Sequence, residues 1–348
     1  MPNINMLDGN FKSFLENYVN IKISDMVKLK GDASYRSYYR ILTGTSSYIL
    51  MSWDPKLTNK SEEACKPTSN KDFPFINICG YLKSINIPVP EIYFASIDKG
   101  IILLEDLGDI TLERMFSITQ DYDLYIKAIK LLAELKKKSL ETPKTDCIAF
   151  QRKFDYDLYM WEFDHFIEFG IEARNNIKIP ENDKNCIRNY FSEISKKLDS
   201  VSNIFTHRDY QSRNLMVKNE KLFIIDFQDA LLSTPAYDIV ALLRDSYVKF
   251  ESKTVNDFLR FYVDELNKLG LVTDFSFFKE LFELQTIQRK LKDGGRFVFI
   301  DKIKNNPSFL PYIPTSFTYA AESMKTIPEL RELYSILSKY VPEFKELM

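Results

Sequence analysis

Residues 207–230, HRDYQSRNLMVKNEKLFIIDFQDA, constrain this chain more than any other stretch. Polar residues crowd its first part. Leu215, Met216 and Val217 then precede a Lys218-Asn219-Glu220-Lys221 turn and the apolar run LFII, which is the pattern of a β-hairpin. Such a hairpin carries Asp226, at the end of its second strand, back beside Asn214, at the start of its first. Asp209 shares a tight loop with Asn214. Three oxygen-bearing side chains are therefore expected to face one cleft.

A chain of 348 residues exceeds what one hydrophobic core commonly serves, so two lobes are expected. Lys plus Arg (47) nearly balances Asp plus Glu (49), and the net charge of −2 supplies no electrostatic footprint for nucleic acid or an anionic membrane. No apolar run reaches the ~18 residues of a membrane span. The opening MPNINMLDGNFKSFLENYVN lacks the basic and apolar regions of a secretory leader, so a cytoplasmic location is expected. Cys65, Cys79, Cys147 and Cys186 are scattered without a C-x-x-C pair, as in a reducing compartment. His165 and His207 are the only histidines, too few for a His-rich metal site.

Along the chain, residues 11–18 are expected as a short helix. YYRIL and YILM alternate beside Gly-Asp and Gly-Thr turns and predict hairpin strands. Residues 54–72 read as a polar loop. Phe75, Ile78, Cys79, Leu82 and Ile85 recur at helical spacing, closed by Pro88 and Pro90. EIYFASIDKGIILLEDLGD predicts two strands around Asp98-Lys99-Gly100. Beyond Gly108, helices are expected at about 121–139, 151–170, 181–199, 235–247, 252–268, 275–292 and 320–345. The expected fold class is α+β: a small β-rich N-terminal lobe over 1–107, a connector near 103–109, and a larger, mainly helical lobe over 108–348.

Phosphoryl transfer from ATP asks little covalent chemistry of a protein. It needs an acid to accept the proton of the attacking hydroxyl, and hard oxygen ligands to hold Mg²⁺ against the phosphates. The kinase pattern H-R-D-x-x-x-x-N, followed by a strand-terminal Asp, supplies these groups. His207, Arg208, Asp209 and Asn214 fill its first part and Asp226 its second. The plainer reading, solvent-exposed loop acids, does not account for the strand that delivers Asp226. His207 is expected to order the loop by hydrogen bonding.

At GDASYRSYYR (31–40), KSINIPVPEI (83–92), GIILLEDLGD (100–109), HRDYQSRNLM (207–216), IDFQDALLSTPAYDIVALLRD (225–245) and LQTIQRKLKDGGRF (284–297), the sequence resembles the phosphotransferases of the aminoglycoside phosphotransferase and choline kinase group. These stretches lie in order across most of the chain. Within the group it is most similar to the anomeric N-acetylmuramate and N-acetylglucosamine kinases of cell-wall recycling. The resemblance implies a bilobal protein-kinase-like fold, ATP as donor, Mg²⁺ as cofactor, and a small-molecule acceptor that is an amino sugar. It makes Asp209 the catalytic base and Asn214 and Asp226 the Mg²⁺ ligands. It makes Leu103–Leu107 a hinge whose backbone near Glu105 and Leu107 holds adenine, and places Ser34 and Arg36 over the phosphates. Asp238 would hydrogen-bond back to the catalytic loop; an exposed first-turn acid favoured by the helix dipole is the alternative.

Asp229, Arg289 and Lys292 are the acceptor-side candidates, with either cation suited to the lactyl carboxylate of N-acetylmuramate. Gln288, Arg289 and Lys292 equally fit a solvated helix face. Glu162, Asp164 and His165, on an aromatic-rich helix, are further candidates, with core packing as the competing reading. One departure from the kinase pattern stands out. The strand YILM carries Met51 or a neighbour where a kinase places the Lys that pairs with phosphate. Arg36, Arg40, Lys56 and Lys60 are the candidates to replace it. Two other readings stay open: a phosphotransferase for an aminoglycoside, choline-like or other hydroxyl metabolite, and a nucleotide-binding regulatory module without catalysis. No nucleic-acid or membrane partner is expected, and the oligomeric state is not legible.

Overall fold

Ile101–Glu105 (IILLE) lacks the alternation of a strand with one solvated face. In the computed structural model it is β5, paired on both edges inside a five-stranded antiparallel sheet of order β1-β2-β3-β5-β4. Its companions are β1 (Ile23–Lys28), β2 (Ser37–Thr43), β3 (Ser47–Ser52) and β4 (Ile92–Ser96). Ile23, Ile41, Leu50, Ile101 and Leu103 form its core with Leu15, each such side chain contributing about 1.5–3 kcal/mol by leaving water. Gly100, at φ 64°, closes the β4–β5 turn, and a Cβ there would stand 2.1 Å from the Trp53 carbonyl oxygen. That approach lets Trp53 N–H donate to the Gly100 carbonyl at 2.9 Å.

The structure describes residues 12–13, 15–17, 22–29, 36–55, 73–271 and 274–345. Ser34 and Tyr35 of the hairpin tip, Lys56, Lys60 and Cys65 of the 54–72 segment, and parts of the expected helix over 11–18 lie outside them. Packing divides the chain into one unit of residues 1–63 and 89–109 and another of residues 64–88 and 110–348. The helix α1 (Pro74–Ser84), which the sequence groups with the N-terminal strands, belongs to the second unit. There Phe75 meets Phe227 at 4.8 Å between ring centroids, and Tyr81 donates to the Thr142 carbonyl at 3.1 Å.

The second unit contains α2 (Leu112–Thr119), α3 (Asp123–Glu141), α4 (Tyr156–His165), α5 (Glu181–Ser200), α6 (Tyr237–Leu243), α7 (Ser252–Lys268), α8 (Phe275–Lys304), α9 (Ile313–Thr326), α10 (Arg331–Leu337) and α11 (Pro342–Lys345). Two small antiparallel pairs sit among them: β6 (Ile204–Thr206) with β9 (Leu231–Ser233), and β7 (Leu215–Lys218) with β8 (Lys221–Ile224). No helix among the described residues is long and apolar enough to cross a membrane.

Several helices depart from expectation for local reasons. α2 was not anticipated; Thr111 caps it, accepting from Arg114 N–H at 3.1 Å. The segment expected over 151–170 begins only at Asp155, whose side chain caps α4, and continues beyond His165 as a π-helical stretch, Phe166–Ala173. The helix expected over 320–345 is cut at Pro328 and Pro342, each at the start of a new helical turn, where a missing N–H does no harm. α8 runs twelve residues past its expected end at 292, to Lys304. It passes through Gly294 and Gly295 because the missing side chains admit neighbours: Phe317 lies over Gly294, and the Phe166 backbone lies against Gly295.

The glycines give opposite predictions. A Cβ on Gly295 would sit 2.9 Å from Phe166 Cα, a backbone atom that cannot rotate away. Gly295→Ala is expected to destabilise the protein by about 1–3 kcal/mol. Gly80, exposed in α1, has nothing within 4 Å of an added Cβ. Gly80→Ala is expected to stabilise by about 0.4–1 kcal/mol by restricting the unfolded chain. Paired urea melts check both signs.

Candidate active site

The loop after β6 turns through Arg208, whose φ of 77° is left-handed. A side chain there costs on the order of 1 kcal/mol and needs neighbours to hold it. Arg208 N–H donates to Asp238 Oδ1 at 3.0 Å, its carbonyl accepts from Arg289 Nη1 at 2.7 Å, and its Nη2 donates to Glu162 Oε1 at 3.2 Å. Asp238 is 0% exposed, so it is no surface helix-start acid. Its Oδ2 accepts from His207 N–H at 2.9 Å and from Lys136 Nζ at 2.6 Å. Burial pushes the Lys136 ammonium below its ordinary value, against the opposing pull of Asp238.

The His207 ring joins two loops. Its Nδ1 accepts from Asp209 N–H at 3.2 Å, which leaves the ring proton on Nε2, donated to the Ile225 carbonyl at 2.9 Å. Asn214 Nδ2 donates to the Asp209 carbonyl at 2.9 Å, and Ile225 N–H donates to the Asn214 carbonyl at 3.0 Å. Ser212, in the same short turn as Asn214, is fixed by buried Asp245: its N–H and hydroxyl both donate to Oδ2, at 2.9 and 2.5 Å. Burial raises the Asp245 carboxyl despite those bonds. The β7–β8 hairpin turns on Asn219 and Glu220, at φ 50° and 60°, a two-residue turn of the type that matches strand twist. Leu215 pairs with Ile224, so Asn214 and Asp226 emerge from adjacent strand ends.

Asp209 keeps a third of its side chain exposed and accepts from Arg289 Nη2 at 3.1 Å through Oδ1. Burial opposes its charge, but Arg289, Lys292 and Arg208 outweigh burial and hold the carboxyl below its ordinary range. Asp226 is exposed at φ 63°, and its Oδ1 accepts from Gln228 Nε2 at 2.9 Å. The same nitrogen donates to Asp229 Oδ2 at 3.1 Å. The structure thus gathers Asp209, Asn214, Asp226 and Asp229 on two linked loops. The Asn214 amide and the Asp226 carboxylate are hard oxygen donors of the kind Mg²⁺ takes alongside phosphate and water oxygens. Among the described residues, no three His, Cys, Asp or Glu cluster into a metal site of their own.

Other candidates are placed differently. Gln288, Arg289 and Lys292 are buried, which rules out a solvated helix face. Arg289 engages the Arg208–Asp209 loop, and Gln288 Nε2 donates to Glu162 Oε2 at 2.6 Å. Glu162 therefore belongs to a buried ionic cluster under the loop. Asp164 pairs with Arg188, and His165 stacks among Trp161, Phe169 and Phe299.

In the first unit, Glu105 N–H donates to the Glu91 carbonyl at 2.8 Å, and buried Leu107 follows two residues on. Arg40 is not available to phosphate. It forks onto Asp106 (2.7 and 3.1 Å) and Asp109 (3.0 and 2.8 Å). The bond to Asp109 is the largest influence raising its already high pKa. Asp106 also accepts from Gly108 N–H at 2.9 Å, so this fork pins the LEDLGD segment. Met51 is fully buried, and β3 carries no basic residue.

Lys136, Ser212 and Gln228 were missed as members of the site. Lys136 left a signal: it falls on the buried stripe of α3 with Leu132, Leu135 and Ser139, where a charge needs a partner. Ser212 and Gln228 left none, since their partners come from the fold.

The pattern of the "Phosphotransferase enzyme family" matches residues 25–271. The N-acetylmuramate/N-acetylglucosamine kinase of Pseudomonas putida is 25% identical over 321 residues, covering 92% of this chain and 89% of that protein. The protein of the same name from Neisseria meningitidis is 26% identical over 336 residues, 95% of each chain. Among solved structures, choline kinase from Streptococcus pneumoniae superposes with a TM-score of 0.60 at 18% identity, covering 92% of this chain and 99% of that one. Spectinomycin phosphotransferase, in complex with ADP and spectinomycin, gives 0.58 at 16% identity, covering 90% and 93%. The strand-and-helix architecture is that of the kinase-like phosphotransferases. With its family pattern spanning both the β-rich segment and the His207–Asp226 loops, the chain belongs to the phosphotransferase enzyme family.

Proposed function

We propose that the protein is an ATP-dependent amino-sugar kinase that phosphorylates the anomeric hydroxyl of N-acetylmuramate or N-acetylglucosamine. The observation that carries this reading is the near end-to-end similarity to relatives from four bacteria, each named N-acetylmuramate/N-acetylglucosamine kinase. Asp209 takes the proton of the attacking hydroxyl, with Oδ1 held by Arg289 and Oδ2 toward the acceptor. Asn214 Oδ1 and the Asp226 carboxylate hold Mg²⁺, the Asn214 Nδ2 being committed to the Asp209 carbonyl. Mg²⁺, when bound, offsets negative charge on the phosphates. His207 and Asp238 keep the loop in register. Backbone groups at Glu105 and Leu107 hold adenine, and Ser34 and Arg36 cover the phosphates. Asp229 takes a sugar hydroxyl, and Lys292 offers charge to a lactyl carboxylate.

A second reading rests on one specific observation. β3 has no basic residue, and Arg40 is engaged with two aspartates. A nucleotide-binding module that performs no transfer would have that feature.

Purified protein incubated with Mg²⁺-ATP and each sugar is expected to yield a sugar 1-phosphate, read by mass and phosphorus NMR. Nucleotide binding with no product from a broad panel of hydroxyl acceptors would favour the second reading. Asp209→Asn is expected to keep its fold and nucleotide affinity while turnover falls by about 10²–10⁴-fold. Undiminished turnover would remove Asp209 as the base.

A further inference from the structure

Arg289 lies on α8, 80 residues beyond Asp209, yet it touches the loop at two points. Nη1 donates to the carbonyl of Arg208 at 2.7 Å and Nη2 to Oδ1 of Asp209 at 3.1 Å. A planar guanidinium bonded to a carbonyl and to the next residue's carboxylate fixes that side chain relative to its own backbone. The carbonyl belongs to a residue held in left-handed conformation, at φ 77°. The guanidinium also rests 5.1 Å from the Tyr237 ring centroid and is only 2% exposed. The neighbouring Gln288 grips Glu162, which grips the Arg208 side chain. One face of α8 therefore holds backbone, carboxylate and side chain of the Arg208–Asp209 pair, directly or through Glu162. Both terminal nitrogens of the fork are thus engaged with the loop, and its Nε lies buried 4.0 Å from Asp293 Oδ2.

We infer that Arg289 is a positioning residue: it sets the direction of the Asp209 carboxylate and thereby presents Oδ2 to the acceptor hydroxyl. The inference rests on Asp209 being the base, and it replaces acceptor binding as the role of Arg289. A Lys keeps the charge but cannot span both acceptors as the fork does.

The test compares wild type, Arg289→Gln, Arg289→Lys, Asp209→Asn and the Asp209→Asn/Arg289→Gln double variant. Steady-state kinetics use Mg²⁺-ATP and whichever hydroxyl acceptor the wild type phosphorylates; ADP binding and melting temperature are measured alongside. In Arg289→Gln, kcat is expected to fall on the order of 100-fold, as for a misdirected catalytic group. KM for the acceptor and for ATP should stay within about twofold, since ground-state binding is untouched. Arg289→Lys should recover part of the loss. In the Asp209→Asn background, Arg289→Gln should lower kcat by no more than about twofold, because the two changes remove one function.

A raised acceptor KM with kcat retained would overturn the inference and return Arg289 to acceptor binding. Independent losses that multiply in the double variant would also overturn it. If Arg289→Gln fails to fold, Arg289→Lys carries the test: full activity in it overturns the need for a fork, and a kcat loss with intact ADP binding supports it. Full turnover in Asp209→Asn alone rejects the base itself, an outcome distinct from a crippled Asp209→Asn with multiplying losses, which rejects only the positioning role.

Discussion

The buried carboxylate of Asp238 is the point on which the loop from His207 to Asn214 depends. It accepts from the backbone of His207 and Arg208 and from Lys136, all out of water. Such a group is stable only while every partner is present; stripping one from a buried ion pair costs about 3–5 kcal/mol. The pair therefore contributes specificity of arrangement. It permits one backbone path from β6 into the loop, the path that includes left-handed Arg208. Everything downstream follows from that path: the His207 tautomer, the reach of Asp209, and the hydrogen bond that the Asn214 amide donates to the Asp209 carbonyl.

The same logic recurs in the first unit on a smaller scale. Arg40 and Asp106 tie β2 to the segment after β5, and Asp106 simultaneously caps Gly108. Burial opposes the Asp106 charge, but Ser47, Gly108 and Arg40 together bring its carboxyl below the ordinary range. In both units, an aspartate with mixed backbone and cationic partners, fully buried at Asp238 and partly buried at Asp106, sets the shape of a segment that the hydrophobic core alone would leave loose.

What could be read from the sequence was local. The β7–β8 hairpin and its flanking loops were legible because turn residues, apolar runs and the H-R-D-x-x-x-x-N spacing all sit within two dozen positions. Four strands of the sheet were legible from apolar runs and glycine turns, whereas β1, Ile23–Lys28, was not anticipated. What escaped was long-range. Gln288 and Arg289 equally fitted a solvated helix face, Lys136 fell on a buried stripe without a visible partner, and only the fold supplies the carboxylates and carbonyls that let them be buried. Arg40 looked like a free cation until Asp106 and Asp109, more than sixty residues away, came to meet it. The length of α8 escaped because a glycine pair lowers helix propensity, whereas here the pair is the surface on which two other segments pack.

α8 begins at Phe275, beyond the stretch that carries the family pattern. The acid, the amide and the strand-borne carboxylate all come from inside that stretch, while the arginine gripping the acid comes from outside it. The loop acid and the arginine that braces it are thus encoded in separate parts of the chain. Substitutions on α8 can reset the direction of the Asp209 carboxylate without touching any residue inside the family pattern.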